Sequence, residues 1–186
     1  MGYTNLFEDT CNNSIGGIKK LYLATRYSDG SPIDFPIDVL YDTISNDENV
    51  ILLDDDFENR IITINNKQIT YRNITPKDAS FEQEIIETRQ GRIYEKKLSF
   101  IVPKITITTN NQIREFLFDS GGQFAISNAL ALILDNNNNN WIVGFDYPLI
   151  LDNFDLKTDK TSDGSNDYSF NYISRSYLPS FKYKNV

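Results

Sequence analysis

Carboxylates are the side chains with which this sequence could do chemistry: 26 Asp and Glu stand beside no His, one Cys and one Met. Without His and with Cys11 alone, zinc sites of the usual type, Ser/His/Asp triads, Cys/His dyads and disulfides are all excluded within one chain. The run Asp54-Asp55-Asp56 with Glu58 could hold a hard cation through oxygen ligands, but a solvated turn is the favoured reading. Asp159, Thr161, Asp163, Gly164 and Asp167 partly match a calcium loop. The match fails at its last position, where Phe170 replaces the bidentate Glu, and the flanks do not read as helical. No pair of acids singles itself out for glycoside cleavage. Gly16-Gly17 and Gly121-Gly122 lack the spacing and the Gly-Lys-Ser/Thr of a phosphate cradle and read as turn glycines. Tyr168, Phe170 and Tyr172 could stack bases or sugars, yet their period of two is that of a strand packing a core. Cys11, with no His to act as its base, reads as inert. No catalytic, cofactor-binding or metal-ligating residue is therefore assigned, no cofactor is expected, and the chain reads as a non-enzyme.

The charge balance narrows the partners. A formal charge of −8 with scattered basic residues (Lys19-Lys20, Lys96-Lys97 and Lys182 with Lys184 are the densest) does not supply the cationic patch that holds nucleic acid. It does suit an acidic wall past which DNA moves without sticking. The longest apolar run, Ala129 to Leu134, is far shorter than the ~20 residues that span a bilayer, so no membrane partner is expected. Met1 to Thr10 carries Glu8 and Asp9 and no basic-then-apolar pattern, so it does not read as an export signal and synthesis in a cytoplasm is expected. The Asn-Xaa-Ser/Thr matches at Asn12 and Asn73 are then chance matches in an Asn-rich chain. With 186 residues, 40% hydrophobic and 13% aromatic, the chain can bury enough apolar surface to fold as one domain over residues 1–186.

Strand signals dominate. Ile18 to Ala24 reads as the first strand, and Asp29-Gly30-Ser31-Pro32 opens a long loop over about 28–59. Arg60 to Ile64 and Lys67 to Tyr71 flank Asn65-Asn66, a pair suited to a two-residue hairpin turn. A longer hairpin runs from Phe81 to Thr88 and from Arg92 to Val102 around Arg89-Gln90-Gly91. Tyr94, Leu98, Phe100 and Val102 share one of its faces, which only Lys96 interrupts. One helix is predicted at Asn110 to Phe118: Thr109 and Gln112 have capping-box spacing, Ile113, Phe116 and Leu117 share a face, and Asp119 to Gly122 stops it. Gln123 to Leu134 and Trp141 to Phe145 form a third hairpin around an Asn-rich tip, the first arm dense enough to be buried on both faces. A polar loop over 152–167 precedes a last strand carrying Tyr168, Phe170 and Tyr172, followed by a tail with Pro179, Phe181 and Tyr183. The expected architecture is mainly β, an antiparallel sandwich or barrel with one α-helix packed on it.

Several blocks in this order resemble small tail and neck proteins of phages infecting Bacteroidetes hosts, the crAss-like group among them. They are Gly16 to Ala24, Arg92 to Leu98, Asn111-Gln112-Ile113-Arg114, Trp141-Ile142-Val143-Gly144 and Lys160 to Phe170. The segment from Ser28 to Asn59 is longer than in that group. The resemblance implies a tail-tube-like fold and a virion structural protein, forming a ring in the tail or in the neck that connects portal to tail. Its implied partners are copies of itself, the portal and other ring or tail proteins, and double-stranded DNA that passes through unbound. A carbohydrate-binding or adhesin sandwich, using Trp141 or Tyr172, is the alternative; a carboxylate-only hydrolase using Asp54 and Asp56 ranks third.

Overall fold

The computed structural model describes residues 17–25, 27–28, 31–32, 44–45, 50–56, 61–64, 67–103, 111, 129–158 and 166–185. Its strands are β1 (Ile18–Thr25), β2 (Tyr27–Ser28), β3 (Ser31–Pro32), β4 (Ile44–Ser45), β5 (Val50–Asp56), β6 (Ile61–Ile64), β7 (Lys67–Ile74), β8 (Asp78–Thr88), β9 (Gly91–Pro103), β10 (Ala129–Asp135), β11 (Asn140–Val143), β12 (Ile150–Lys157), β13 (Asp167–Ser176) and β14 (Phe181–Asn185). They form an eight-stranded sheet in the order β14-β11-β10-β1-β7-β6-β5-β4, a four-stranded sheet in the order β12-β13-β9-β8, and the short pair β2-β3. The expectation of a mainly antiparallel β protein holds. Of the helix expected at Asn110 to Phe118 only Asn111 is described, and no packed helix is seen among the described residues.

Burial follows strand alternation. Leu21 and Leu23 of β1, Ala129, Ala131 and Ile133 of β10, and Val143 of β11 turn one face of the large sheet toward the small one. There they meet Leu98 and Phe100 of β9 and Tyr168, Phe170 and Tyr172 of β13 in a shared core. Phe100 and Phe170 are direct partners in the ladder and stack at 4.8 Å, and Phe154 of β12 continues the aromatic row at 5.0 Å from Phe170. Cross-strand aromatic pairs of this kind add to the stabilisation from area alone. The in-between residues of the large sheet build a second core on its other face, Ala24, Tyr71, Leu130, Leu132, Ile142, Phe181 and Tyr183, joined by Phe145 from the bend after β11. β10 is thus buried on both faces, as its unbroken apolar run predicts.

The large sheet has one further pairing. β14 lies antiparallel to β11 and, on Val50–Leu53, parallel to β5, so pairing passes from β14 through β11, β10, β1, β7, β6 and β5 and returns to β14. The second core lies on the face of β1, β7, β10, β11 and β14 that is turned away from the small sheet.

Three sequence expectations need correcting. The segment expected as a loop over 28–59 contains β3, β4 and β5, and Asp54, Asp55 and Asp56 lie in β5, opposite Thr63, Ile62 and Ile61 of β6, and not in a turn. The polar loop expected over 152–167 is strand β12 as far as Lys157. Over 152–157 only Phe154 and Leu156 are apolar, and this edge strand fully buries neither, which is why the stretch reads as loop. The tail is strand β14.

Candidate functional site

Three consecutive charged residues of β9 divide between the two faces of the small sheet. Lys96 is on the inner face, in line with Leu98 and Phe100, while Glu95 and Lys97 are on the outer face. Lys96 is the residue that interrupts the apolar face in the sequence, and the structure supplies its partner. Its Nζ lies 3.2 Å from Oδ1 of Asp146, the two side chains being 1% and 5% exposed.

Asp146 is placed by a tight bend after β11. Gly144 adopts φ +87°, which an L side chain rarely does. A Cβ there would meet the carbonyl oxygen of Ala129 at 2.5 Å. Reciprocal backbone bonds between Ala129 and Leu149 close the bend at 2.8 and 2.9 Å, and Ser174 Oγ donates to the Tyr147 carbonyl at 2.9 Å. Phe145 enters the second core and Leu149 the shared core, so the bend is pinned on both sides of Asp146. Burial pushes the Lys96 ammonium below its usual range, an effect the neighbouring Asp146 carboxylate partly offsets. Oδ2 of Asp146 and the hydroxyl of Tyr172 are buried without a hydrogen-bond partner, and burial pushes the Tyr172 phenol upward.

The outer face is a network. Glu95 sits opposite both Glu84 of β8 and Arg175 of β13. Lys97 bridges the two acids, 2.6 Å from Glu84 and 3.0 Å from Glu95, while Arg175 Nε donates to Glu95 at 2.6 Å. Hydrogen bonds from Lys97, then from Arg175, hold the Glu95 carboxyl below the ordinary range, and the bond to Glu84, then that to Glu95, raises Lys97.

The small sheet ends in two strands that have one described neighbour each: β8 pairs with β9, and β12 pairs with β13. Ile150 and Leu156 of β12 are 54% and 55% exposed, and Ile85 of β8 is exposed as well. The four strands alternate in direction, so β8 and β12 run opposite ways.

A cleft of about 440 Å³ opens beside the Asn-rich tip, lined by Ile18, Phe81, Gln83, Asp135, Trp141 and Ser180 among others. Asp135 builds this tip. It accepts from the backbone of Asn137 and Asn139, from the Asn139 amide and from Trp141 Nε1, at 2.8 to 3.1 Å. Burial alone would raise its carboxyl, and these bonds outweigh burial and hold it low. The Trp141 ring also carries the Lys182 ammonium 5.5 Å from its centroid.

The sequence-derived candidates sort as follows. Tyr168, Phe170 and Tyr172 are core, as their spacing implies; Tyr172 is fully buried and so offers no surface to a glycan. Asp167, from the calcium-like series, pairs with Lys77 at 3.2 Å. Cys11, Gly16, Glu58, Asp159, Thr161, Asp163, Gly164, Gly121 and Gly122 lie outside the described residues. Among the described residues no group of three or more His, Cys, Asp or Glu side chains is gathered as a metal site. Sequence reasoning missed Asp146. The one signal for it was the need of a charged residue at position 96 for a counter-charge. No family model, curated protein or solved structure matches the chain.

Proposed function

We propose that this chain is a virion structural subunit, a tail-tube-like β-sandwich with the 110–118 helix packed on it. Copies of it would close into a ring in a phage tail or in the neck between portal and tail. The observation that carries the reading is the pair of edges of the four-stranded sheet, β8 and β12, that have no further neighbour among the described residues. An even number of alternating strands means that a copy related by simple rotation brings its β12 antiparallel to the β8 of its neighbour. The backbone donors and acceptors left along each edge then find partners. Such an interface is head-to-tail, and it closes when the rotation divides a full turn. The net charge of −8 suits the wall of a channel that DNA traverses without being held. The resemblance of several sequence blocks, in order, to small phage tail and neck proteins points to the same role.

Electron microscopy and mass photometry of the purified chain, alone and with its neighbouring virion proteins, test the proposal. Rings are expected. Leu156→Lys and Ile150→Lys place charge on an edge at already exposed positions, so they should abolish rings while leaving the monomer folded. A chain that stays monomeric under all these conditions and has no place in a particle overturns the assignment.

A further inference from the structure

The Lys96–Asp146 contact brings an amine and a carboxyl of the same chain together inside the core. We propose that these two side chains are a modification site, at which they condense into an intramolecular isopeptide bond that ties β9 to the bend after β11.

Proximity is the first argument. Nζ stands 3.2 Å from Oδ1, in direct contact with the carboxyl whose Cγ it would attack, so the two groups meet as a unimolecular pair. The pair is also held in place from both sides. Lys96 is fixed in the ladder opposite Ser174, and the Gly144 turn, the Ala129–Leu149 bonds and the Ser174–Tyr147 bond fix the segment carrying Asp146.

The second argument is the dryness of the site. Two opposite charges with 1% and 5% exposure are costly to maintain unless every remaining donor and acceptor is satisfied, and Asp146 Oδ2 has no donor. Moving one proton from the Lys96 ammonium to Oδ1, the oxygen it touches, removes both charges. It leaves a neutral amine against a neutral carboxyl, the state that burial already favours for Lys96.

The step then balances without a co-reactant. The Nζ lone pair forms a bond to Cγ of Asp146, and the bond from Cγ to the protonated Oδ1 breaks. The departing hydroxyl takes one proton from Nζ and leaves as water. An ammonium and a carboxylate have become one amide and one water, with nothing oxidised or reduced. The amide keeps one N–H and one carbonyl and carries no charge into the core.

Mass spectrometry of the full purified chain, unfolded for measurement, provides the test. The wild type is expected to be lighter than its sequence by one water and, after proteolysis, to yield a branched peptide joining the Lys96 and Asp146 segments. Asp146→Asn should lose ammonia in place of water and give the same branched peptide. Asp146→Ala and Lys96→Arg should keep their full sequence masses. A folded wild-type chain that retains its full mass after prolonged incubation overturns the proposal, and so does loss of water in Asp146→Ala. The wild-type measurement stands even where a variant fails to fold, and it does not depend on whether rings form.

Discussion

Glu95 and Lys96 are neighbours in one strand, both buried and both salt-bridged, yet only the partners of Glu95 reach water. Glu95, itself only 6% exposed, shares its two oxygens between Lys97 and Arg175, partners that are 41% and 64% exposed. Lys96 meets a single oxygen of Asp146 in a setting closed to water. The outer network is adjustable, because water reaches Lys97, Arg175 and Glu84 and salt screens them. The inner pair is all or none. Removing one partner strands the other without solvation, which is the expensive case for buried charge.

That contrast can be broken at its strongest point first. Asp146→Ala, or Lys96→Met, should cost about 3–5 kcal/mol in chemical denaturation, because each leaves the remaining side chain buried without the partner it pairs or bonds with. Replacing both, as Lys96→Met with Asp146→Leu, should recover much of that loss, since an apolar pair of similar volume needs no counter-charge. Any shortfall from wild type then measures what tying the two segments together contributes. A double variant no more stable than the single ones would show that packing, not charge, decides this site.

Gly144→Ala comes next. It forces an L residue into φ +87° against the Ala129 carbonyl, and the loss should be about 1–3 kcal/mol or more, because the turn that presents Asp146 must shift. Thermal unfolding of this variant beside Asp146→Ala shows whether the turn acts through the ion pair: if it does, the two losses will not add in the combined variant.

The outer face should give the smallest effect and the clearest pH signature. Glu95 has a folded-state value below its ordinary 4.5, so the unfolded chain binds the proton more readily in acid. Its contribution to stability is therefore complete above the ordinary value and disappears as pH falls through the lower, folded one. Glu95→Gln should flatten that part of the acid limb, and the difference from wild type should shrink in high salt. A difference that persists unchanged at high salt would place Glu95 with Lys96 as a dry charge.

How much of this was legible in the sequence depends on how local each signal is. The β8–β9 hairpin, the last core strand β13 and the doubly buried β10 follow from alternation and turn residues a few positions apart. Lys96 was visible as the one break in an apolar face. Asp146 was not, because its partner is 50 positions away and nothing short-range marks it. β12 failed for a different reason: edge strands bury little, so their residues carry no period. β5 and β14 failed because they hold each other. Parallel pairing between distant segments leaves no imprint in either one alone.

The β5–β14 pairing also has a consequence for how the molecule is made. Val50 and Lys182 are ladder partners, so the ribosome releases β5 long before its parallel neighbour exists. Closing such a long loop comes late and makes folding slow. In the interval Ile51-Leu52-Leu53 is a sticky, strand-prone stretch with nothing on that side. Asp54-Asp55-Asp56 follows it directly. A block of negative charge beside an apolar strand is the usual gatekeeper against premature association between nascent chains. In that light the acidic triplet has work to do before the protein is finished, whatever it does afterwards.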